Sequence, residues 1–251
     1  MIKLVPAAES TLPTLTLDLG GGVTLELVLI PAGKFTMGSP ATETEAHQRN
    51  DETQHEVTIS TPFYMGQYEI TQAQYEAVIG SNPSRVKGAK NPVEQVSWDG
   101  AQEFCRKLSA KAGKTLRLPT EAEWEYACRA GTTTRFSSGD ADSALADVAW
   151  YDANSERKPH PVGQKKPNAW GLYDMHGNVW EWCQDFYGAY AEGTATDPPG
   201  AVNGTSRVVR GSGWVFSPWS CRSANRGGSP PDPRYGGADI GFRVVVPAGS
   251  H

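Results

Sequence analysis

In the first clear hydrophobic pattern along the chain, apolar and polar residues alternate and then give way to a purely apolar run. Residues 1–20 show no clear periodicity, and we expect an irregular N-terminal arm there. Val23–Ile30 alternates at first and is apolar at its end, which predicts a strand whose burial increases along its length. Pro31-Ala32-Gly33 then predicts a turn. Further strands are expected in three short segments, 34–38, 57–60 and 63–68.

Three segments with helical periodicity follow, and each has a recognisable start. Thr71 and Thr120 are each followed three residues later by Gln or Glu, the capping-box pattern in which side chains satisfy the first backbone N–H groups. Between them, Ser97 or Asp99 caps a helix that Gly113 ends. The middle of the chain is therefore predicted to be helical.

Regular structure becomes sparse after residue 131. Segments rich in Pro, Gly and Asn separate short apolar pieces, and the last strand candidates are 208–210 and 242–246. Loops of this length in a compact domain are usually functional. We therefore expect the functional residues to lie on loops in the second half of the chain.

Composition excludes several classes of function. The 251 residues carry a net charge of −5 with both signs mixed along the chain, which argues against binding nucleic acid. No apolar run is long enough for membrane insertion, and the N-terminus lacks the apolar segment of a signal peptide, so we expect a cytoplasmic location. The four cysteines form no CxxC pair, which favours buried thiols over a zinc or redox site.

Several longer phrases occur in order and carry a family resemblance. They are Leu29–Gly33 with Phe35–Gly38, Tyr68–Tyr75, Asn91–Val93 with Val96–Trp98, Arg117–Ala127, Gly171–Met175, Gly177–Trp182 and Gly241–Arg243. Together they resemble the formylglycine-generating enzyme (sulfatase-modifying factor) family, from about Val23 to Val246. The resemblance implies an α+β, C-type-lectin-like domain with mixed twisted β structure, flanking helices and extensive irregular loops. We expect one such domain over residues 21–251.

The family includes copper-dependent oxidases that convert a substrate cysteine to formylglycine, and also binding proteins without enzymatic activity. The oxidases use two cysteines five positions apart, because two thiolates suit soft Cu(I). Alignment on Gly211 and Trp214 places the first at Phe216 and the second at Cys221. Phe216 offers no lone pair, which argues against copper and predicts that the protein is not an enzyme of this kind. Cys221 could instead pack in the core or approach Cys128, since the family often joins these regions by a disulfide.

The segment Arg210–Arg243 also resembles the variable cassette of proteins diversified by retroelements. Its core is Cys221-Arg222-Ser223-Ala224-Asn225-Arg226, although its start, Gly211-Ser212-Gly213-Trp214, departs from the usual Gly-Gly-Ser-Trp. The resemblance implies a ligand-binding protein that contacts a protein or other macromolecular partner through residues 215–239. The implied ligand-binding residues are Val215, Phe216, Ser217, Trp219, Ser220, Gly227, Gly228, Ser229, Asp232, Tyr235, Gly236, Gly237 and Asp239.

Physical considerations suit binding, but more than one interpretation stays open. Exposed aromatics among small residues resemble an antibody paratope, and Phe216, Trp219 and Tyr235 are the expected principal contacts. Three arginines of the segment, Arg222, Arg226 and Arg243, are expected to fix it to the scaffold instead. The alternatives are an ordinary family loop in an oxidoreductase or maturation factor of fixed function that lacks the cysteine pair, and a structural domain that docks through these loops.

A calcium site is a further implication of the family resemblance. Its ligands would be the side chains of Asp174 and Glu181 and the backbone carbonyls of Gly177 and Val179. Carboxylate and carbonyl oxygens on a tight turn are the ligands that a hard cation prefers, and such a calcium ion would be structural. Alternatively, the two carboxylates brace the turn without a metal.

Overall fold

The computed structural model describes residues 12–41, 43, 51–231 and 239–249. Its strands, in chain order, are β1 (Thr14–Gly20), β2 (Val23–Ile30), β3 (Gly33–Met37), β4 (His55–Ile59), β5 (Phe63–Gly66), β6 (Trp180–Phe186), β7 (Ala195–Thr196), β8 (Arg207–Arg210), β9 (Arg226–Ser229), β10 (Ile240–Gly241) and β11 (Val245–Pro247). They form three small sheets, ordered β1-β2-β5-β11, β10-β6-β8-β9 and β3-β4-β7. Within the described ranges, no helix is both long and apolar enough to cross a membrane.

The expectation of an irregular arm over residues 1–20 is wrong for its described part. Thr14–Gly20 is a strand that pairs antiparallel with β2, in a register that sets Leu15 opposite Leu27. Its leucines alternate with polar residues, but only Leu19 is fully buried, so the hydrophobic signal is weak. Residues 1–11 lie outside the described residues.

The predicted helices are confirmed. They are α1 (Gln72–Ile79), α2 (Trp98–Ala112) and α3 (Glu121–Arg129), and a short α4 (Asp142–Leu145) was not predicted. Both capping boxes form, and Ser97 rather than Asp99 caps α2. In each case a side-chain oxygen accepts a backbone N–H that the first helical turn leaves without a partner.

Strand β6 was not predicted, because its apolar and polar residues do not alternate along the sequence. Trp180-Glu181-Trp182-Cys183-Gln184-Asp185-Phe186 buries most of its residues on both sides, including two acidic ones. It pairs antiparallel with β8 and parallel with β10, so it lies at the centre of its sheet. The central position of β6 brings residues 180, 207–210 and 226–229 together.

The hydrophobic core explains the motif Gly241-Phe242-Arg243. Phe242 is fully buried and meets the rings of Tyr75 and Phe104 at centroid distances of 6.3 and 5.2 Å. A Cβ on Gly241 would lie 2.4 Å from the carbonyl oxygen of Val93, so only glycine fits there. The observed architecture is α+β with few helices and curled sheets, as expected from the family resemblance.

Candidate functional site

A buried chain of ion pairs fixes the start of the Arg210–Arg243 segment to helix α3. Arg210 pairs with Glu125, which also pairs with Arg129 at 2.9 Å, and Arg210 lies 3.8 Å from Glu121. Arg226 continues the chain through two hydrogen bonds to Glu121, at 2.6 and 2.8 Å. All five side chains are at most 4 % exposed. Alternation of sign is what allows so many charges to be buried together.

Arg210 also fixes the backbone of the segment itself. Its guanidinium donates to the carbonyl oxygens of Ala224 at 2.8 Å and Ser223 at 3.0 Å, in addition to Asn225. Since all three residues lie in the turn before β9, one side chain determines the path of that turn. Because Arg210 bonds both to Glu125 of α3 and to this turn, it connects the helix directly to the segment.

Arg222 and Arg243 also play the scaffold role predicted from the sequence. Arg222 forms a bidentate pair with Glu52 at 2.7 and 2.9 Å, and Arg243 forms one with Glu181, both bonds at 2.7 Å. Arg222 and Arg243 are at most 1 % exposed. Bidentate geometry fixes the orientation of the guanidinium as well as its position. The expectation that Arg222, Arg226 and Arg243 fix the segment to the scaffold is confirmed.

Most of the predicted ligand-binding residues that the structure describes come together around one pocket. Val215, Ser217 and Gly228 are exposed, and Phe216, Trp219, Gly227, Ser229 and Asp239 are half-buried. Ser220 is only 6 % exposed, although it is among the residues that line the pocket. The pocket has a volume of about 390 Å³, and six of these residues line it: Phe216, Trp219, Ser220, Gly227, Gly228 and Asp239. Asp232, Tyr235, Gly236 and Gly237 lie outside the described residues.

Sequence reasoning missed Trp180 as a member of this pocket. The Trp180 and Phe216 rings meet edge to face, with centroids 5.5 Å apart and an angle of 81° between their planes. Trp180 belongs to β6, so one aromatic wall comes from the scaffold and the other from the segment. The motif Gly-Asn-x-Trp-Glu-Trp indicated metal ligands. Its pattern did not indicate that its first tryptophan, Trp180, would be half-exposed.

The cysteines provide no reactive thiol among the described residues. All four are free and buried, so the disulfide between Cys128 and Cys221 that the family resemblance implies is not formed. Burial raises the pKa of both thiols to about 12, which keeps them protonated. Phe216, in the place of the oxidase's first cysteine, is half-buried in the pocket wall.

His176 is a neutral side chain that links the 210–243 segment to the loop that contains Ser137. Its Nδ1 donates to the carbonyl oxygen of Cys221 at 2.8 Å, and its Nε2 accepts from the backbone N–H of Ser137 at 3.0 Å. Burial lowers the pKa of His176 to about 4. Both ring nitrogens are engaged, so the residue fixes loop positions.

Two of the predicted calcium ligands, Asp174 and Glu181, lie near a third buried carboxylate, Glu69, so negative charge is in excess here. Asp174 accepts from the backbone N–H of Gly163 through Oδ2, whereas its Oδ1 is buried without a hydrogen-bond partner. Glu181 is committed to Arg243 and to Trp124, and Glu69 accepts from Asn178 and Val179. Burial and the neighbouring carboxylates raise the pKa of Asp174 to about 6 and that of Glu69 well above its usual range. The unpaired oxygen of Asp174 and the charge surplus fit a hard cation, although Glu181 already serves another partner.

Among the described residues, no group of three or more His, Cys, Asp or Glu side chains is arranged to hold a metal ion. The calcium ligand set predicted from the family relies on two carboxylates and two backbone carbonyls, so this finding does not bear on it.

A second cavity, of about 220 Å³, lies near the start of α3. It is lined mainly by small apolar residues of the 188–201 loop, and Glu121, Asp185 and Arg226 are among its polar residues. Asp185 accepts from the backbone N–H of Glu121 at 2.9 Å. Burial, reinforced by the Glu121 carboxylate, raises the pKa of Asp185 to about 8, so this carboxyl group is largely protonated at neutral pH.

Two of the solved structures that match this chain illustrate a likeness over nearly its whole length. Treponema denticola variable protein 1 is 31 % identical with a TM-score of 0.85, and the match covers 93 % of this chain and 99 % of that one. PvdO from Pseudomonas aeruginosa is 30 % identical with a TM-score of 0.82, over 93 % and 98 %.

Sequence relatives include proteins described as a chaperone and as enzymes. Chaperone protein LppX of Paenibacillus barcinonensis is 31 % identical over 98 % of both chains. The formylglycine-generating enzyme of Streptomyces coelicolor is 38 % identical over 64 % of this chain and 55 % of its own length. The family model of the sulfatase-modifying factor enzyme 1-like domain matches residues 22–248. This protein therefore belongs to the sulfatase-modifying factor enzyme 1-like domain family.

Proposed function

We propose that this chain is a ligand-binding protein that presents residues 215–239 on a rigid C-type-lectin-like scaffold. The observation that carries the proposal is the pocket at this surface, which has Phe216 in its wall at the position where the family's oxidases have their first cysteine. An aromatic ring provides contact area for a ligand but neither a nucleophile nor a metal ligand.

The division between exposed and buried residues of the segment supports this proposal. Residues 215–217 and 227–229 lie at the surface or are half-buried, whereas Arg210, Arg222, Arg226 and Arg243 are fully buried in ion pairs. Such a surface can change at its exposed positions while its backbone stays fixed. The similarity to Treponema denticola variable protein 1 over 93 % of the chain fits a variable surface.

Sequencing the encoding locus across a growing population tests whether the segment is diversified. We expect codon changes confined to Arg210–Arg243, at adenine positions of an adjacent template repeat, with the scaffold codons unchanged. An invariant segment without a nearby template would refute diversification.

Binding itself is tested by capture of a protein ligand with the immobilised chain. Phe216→Ser and Trp219→Ser should each reduce capture, because both rings lie in the pocket. Val202→Ser is the matched control, since Val202 is 90 % exposed and lies outside the pocket. Equal capture by all three variants would show that the ligand binds elsewhere.

A maturation factor of fixed function is the second candidate. It is favoured by the full-length similarity to a protein described as a chaperone, over 98 % of both chains. An invariant segment in the locus would support this candidate. Oxidase chemistry is tested separately by titrating Cu(I) in the presence of a cysteine-containing peptide, and stoichiometric tight binding would contradict the argument from Phe216.

We also propose structural calcium beside β6, with Asp174 as its principal side-chain ligand. The unpaired Oδ1 of Asp174 and the shared charge of Glu69 and Glu181 support it. Calcium should raise the melting temperature relative to the chelated protein, and Asp174→Asn should remove that increase. Asp147→Asn is the control, because Asp147 lies at the surface in an ion pair with Lys166.

A further inference from the structure

The pocket lined by Phe216, Trp219 and Asp239 contains a carboxylate that no described residue neutralises. Asp239 is half-buried, and in the described part of the chain no other residue donates a hydrogen bond to its carboxylate or forms an ion pair with it. Its main chain is fixed, because its carbonyl oxygen accepts from the N–H of Trp180 at 2.7 Å. Burial raises the pKa of Asp239. An opposite charge in the pocket would relieve this unfavourable burial.

The carboxylate lies beside an aromatic wall. A Cβ on Gly213 would lie 3.2 Å from Asp239 Oδ2 and 3.4 Å from Trp180 Cδ1, so the two side chains flank the same small space. Trp180 and Phe216 form two walls at 81°, and Trp219 also lines the pocket. The faces of aromatic rings attract cations, and tryptophan does so most strongly.

The floor of the pocket adds a second source of negative potential. Asn225 is 2 % exposed, and its Nδ2 donates to the carbonyl oxygen of Ser220 at 2.7 Å. This hydrogen bond fixes the amide orientation and leaves Oδ1 buried without a partner. Among the described residues that line the pocket, none is basic. The described lining residues therefore combine aromatic rings with acceptors and include no cation, and the nearby Arg222 guanidinium, 5.6 Å from the Trp219 ring, is paired with Glu52.

We propose that this pocket binds the cationic side chain of a polypeptide ligand, the ammonium group of lysine or the guanidinium group of arginine. The inference rests on the proposed function, since it assigns a ligand chemistry to the same surface. The aliphatic stem of the side chain packs against Trp180, Phe216 and Trp219, and the charged end meets Asp239. A neutral side chain of equal length would leave the carboxylate unpaired in a site that the ligand shields from water.

Binding of small probes to the full chain tests the assignment directly. The probes are Nα-acetyl-lysine methylamide, Nα-acetyl-arginine methylamide and their neutral analogue Nα-acetyl-norleucine methylamide. Binding is followed through the tryptophan indole N–H signals in nuclear magnetic resonance spectra. We expect saturable shifts of the Trp180 and Trp219 signals with both cationic probes, and affinity lower by roughly tenfold or more for the norleucine probe.

Two matched variants separate the local carboxylate from the general charge of the protein. Asp239→Asn keeps the shape of the side chain and should weaken binding of the cationic probes about tenfold or more, because one partner of a shielded charge pair is lost, without changing norleucine binding. Asp152→Asn removes the same charge from an exposed residue whose backbone N–H donates to the carbonyl oxygen of Phe216, and should change nothing. The amide spectrum of each variant shows whether it is folded.

The possible results distinguish the cationic assignment from the proposed function. Equal affinity for lysine and norleucine probes would overturn the cationic assignment while leaving a ligand surface in place. Absence of any shift at Trp180 and Trp219 would overturn the assignment as well, whereas the proposed function is judged independently by protein capture. Binding of simple butylammonium as tightly as the lysine probe would place recognition in a free amine and overturn the polypeptide part of the proposal.

Discussion

Replacement of Arg210 by methionine is the sharpest test of how the segment is held. Methionine keeps an unbranched stem beside Trp124, over whose ring the guanidinium lies at 5.3 Å, but removes every hydrogen bond that the Arg210 side chain donates. Glu125 and three backbone carbonyls of the turn at 223–225 then lose a partner. Removing one member of a buried ion pair costs about 3–5 kcal/mol. Because Glu125 keeps its bonds to Arg129 and to the Gly38 N–H, we expect the lower part of that range.

The expected loss is large enough to measure by thermal unfolding. For a protein of this size each kcal/mol lowers the melting temperature by about 2–4 °C, so a loss of about 3 kcal/mol corresponds to roughly 6–12 °C. Arg106→Met is the matched control, because Arg106 pairs with Glu103 at the surface and its side chain is 69 % exposed. That variant should unfold at the temperature of the original protein.

Hydrogen exchange shows whether the effect is local. In Arg210→Met the amides of residues 220–226 should exchange faster, while those of β1 and β2 keep their protection at temperatures well below unfolding. A melting temperature no lower than that of Arg106→Met would refute the ion-pair reasoning. A uniform increase in exchange would refute the statement that Arg210 fixes this turn in particular.

Three further predictions follow from close packing and buried carboxyl groups. Gly241→Ala should destabilise the protein by about 1–3 kcal/mol in urea unfolding, because its Cβ would overlap the carbonyl oxygen of Val93, whereas exposed Gly249→Ala should not. Asp185 has a pKa of about 8 when folded and about 3.9 when unfolded, so its contribution to stability is present at low pH and is lost as the pH rises between those values. Asp185→Asn should therefore reduce the decline of unfolding free energy between pH 5 and pH 8.5, and an unchanged slope would contradict this. Calcium stabilisation of the folded protein should weaken as the pH falls through about 6, where Asp174 gains a proton, and calorimetry at pH 5 and pH 8 measures it.

The elements that the sequence predicted well are those with local signals. The capping residues Thr71, Ser97 and Thr120 fix the starts of the three longer helices, because the hydrogen bonds involved span only three residues. Strand β6 gave no such signal, since its burial depends on β8 and β10, which come later in the chain. The position of Trp180 in the pocket was not predicted either, because it also depends on how β6 pairs with later strands. The identity of a neighbour across a sheet is a long-range property that periodicity does not contain.

Four buried arginines show how the described parts of the 210–243 segment can be held in place while their exposed side chains stay free to change. In sequence they alternate with the exposed stretches: Arg210 precedes residues 215–217, Arg222 and Arg226 precede 227–229, and Arg243 ends the segment. Each is buried, and each pairs with a glutamate from outside the segment. Since these ion pairs involve none of the exposed side chains, a substitution at Val215 or Ser217 leaves them intact. Stability and ligand choice therefore depend on different residues of the same segment, which is the physical condition that a binding surface needs if it is to vary without unfolding the protein.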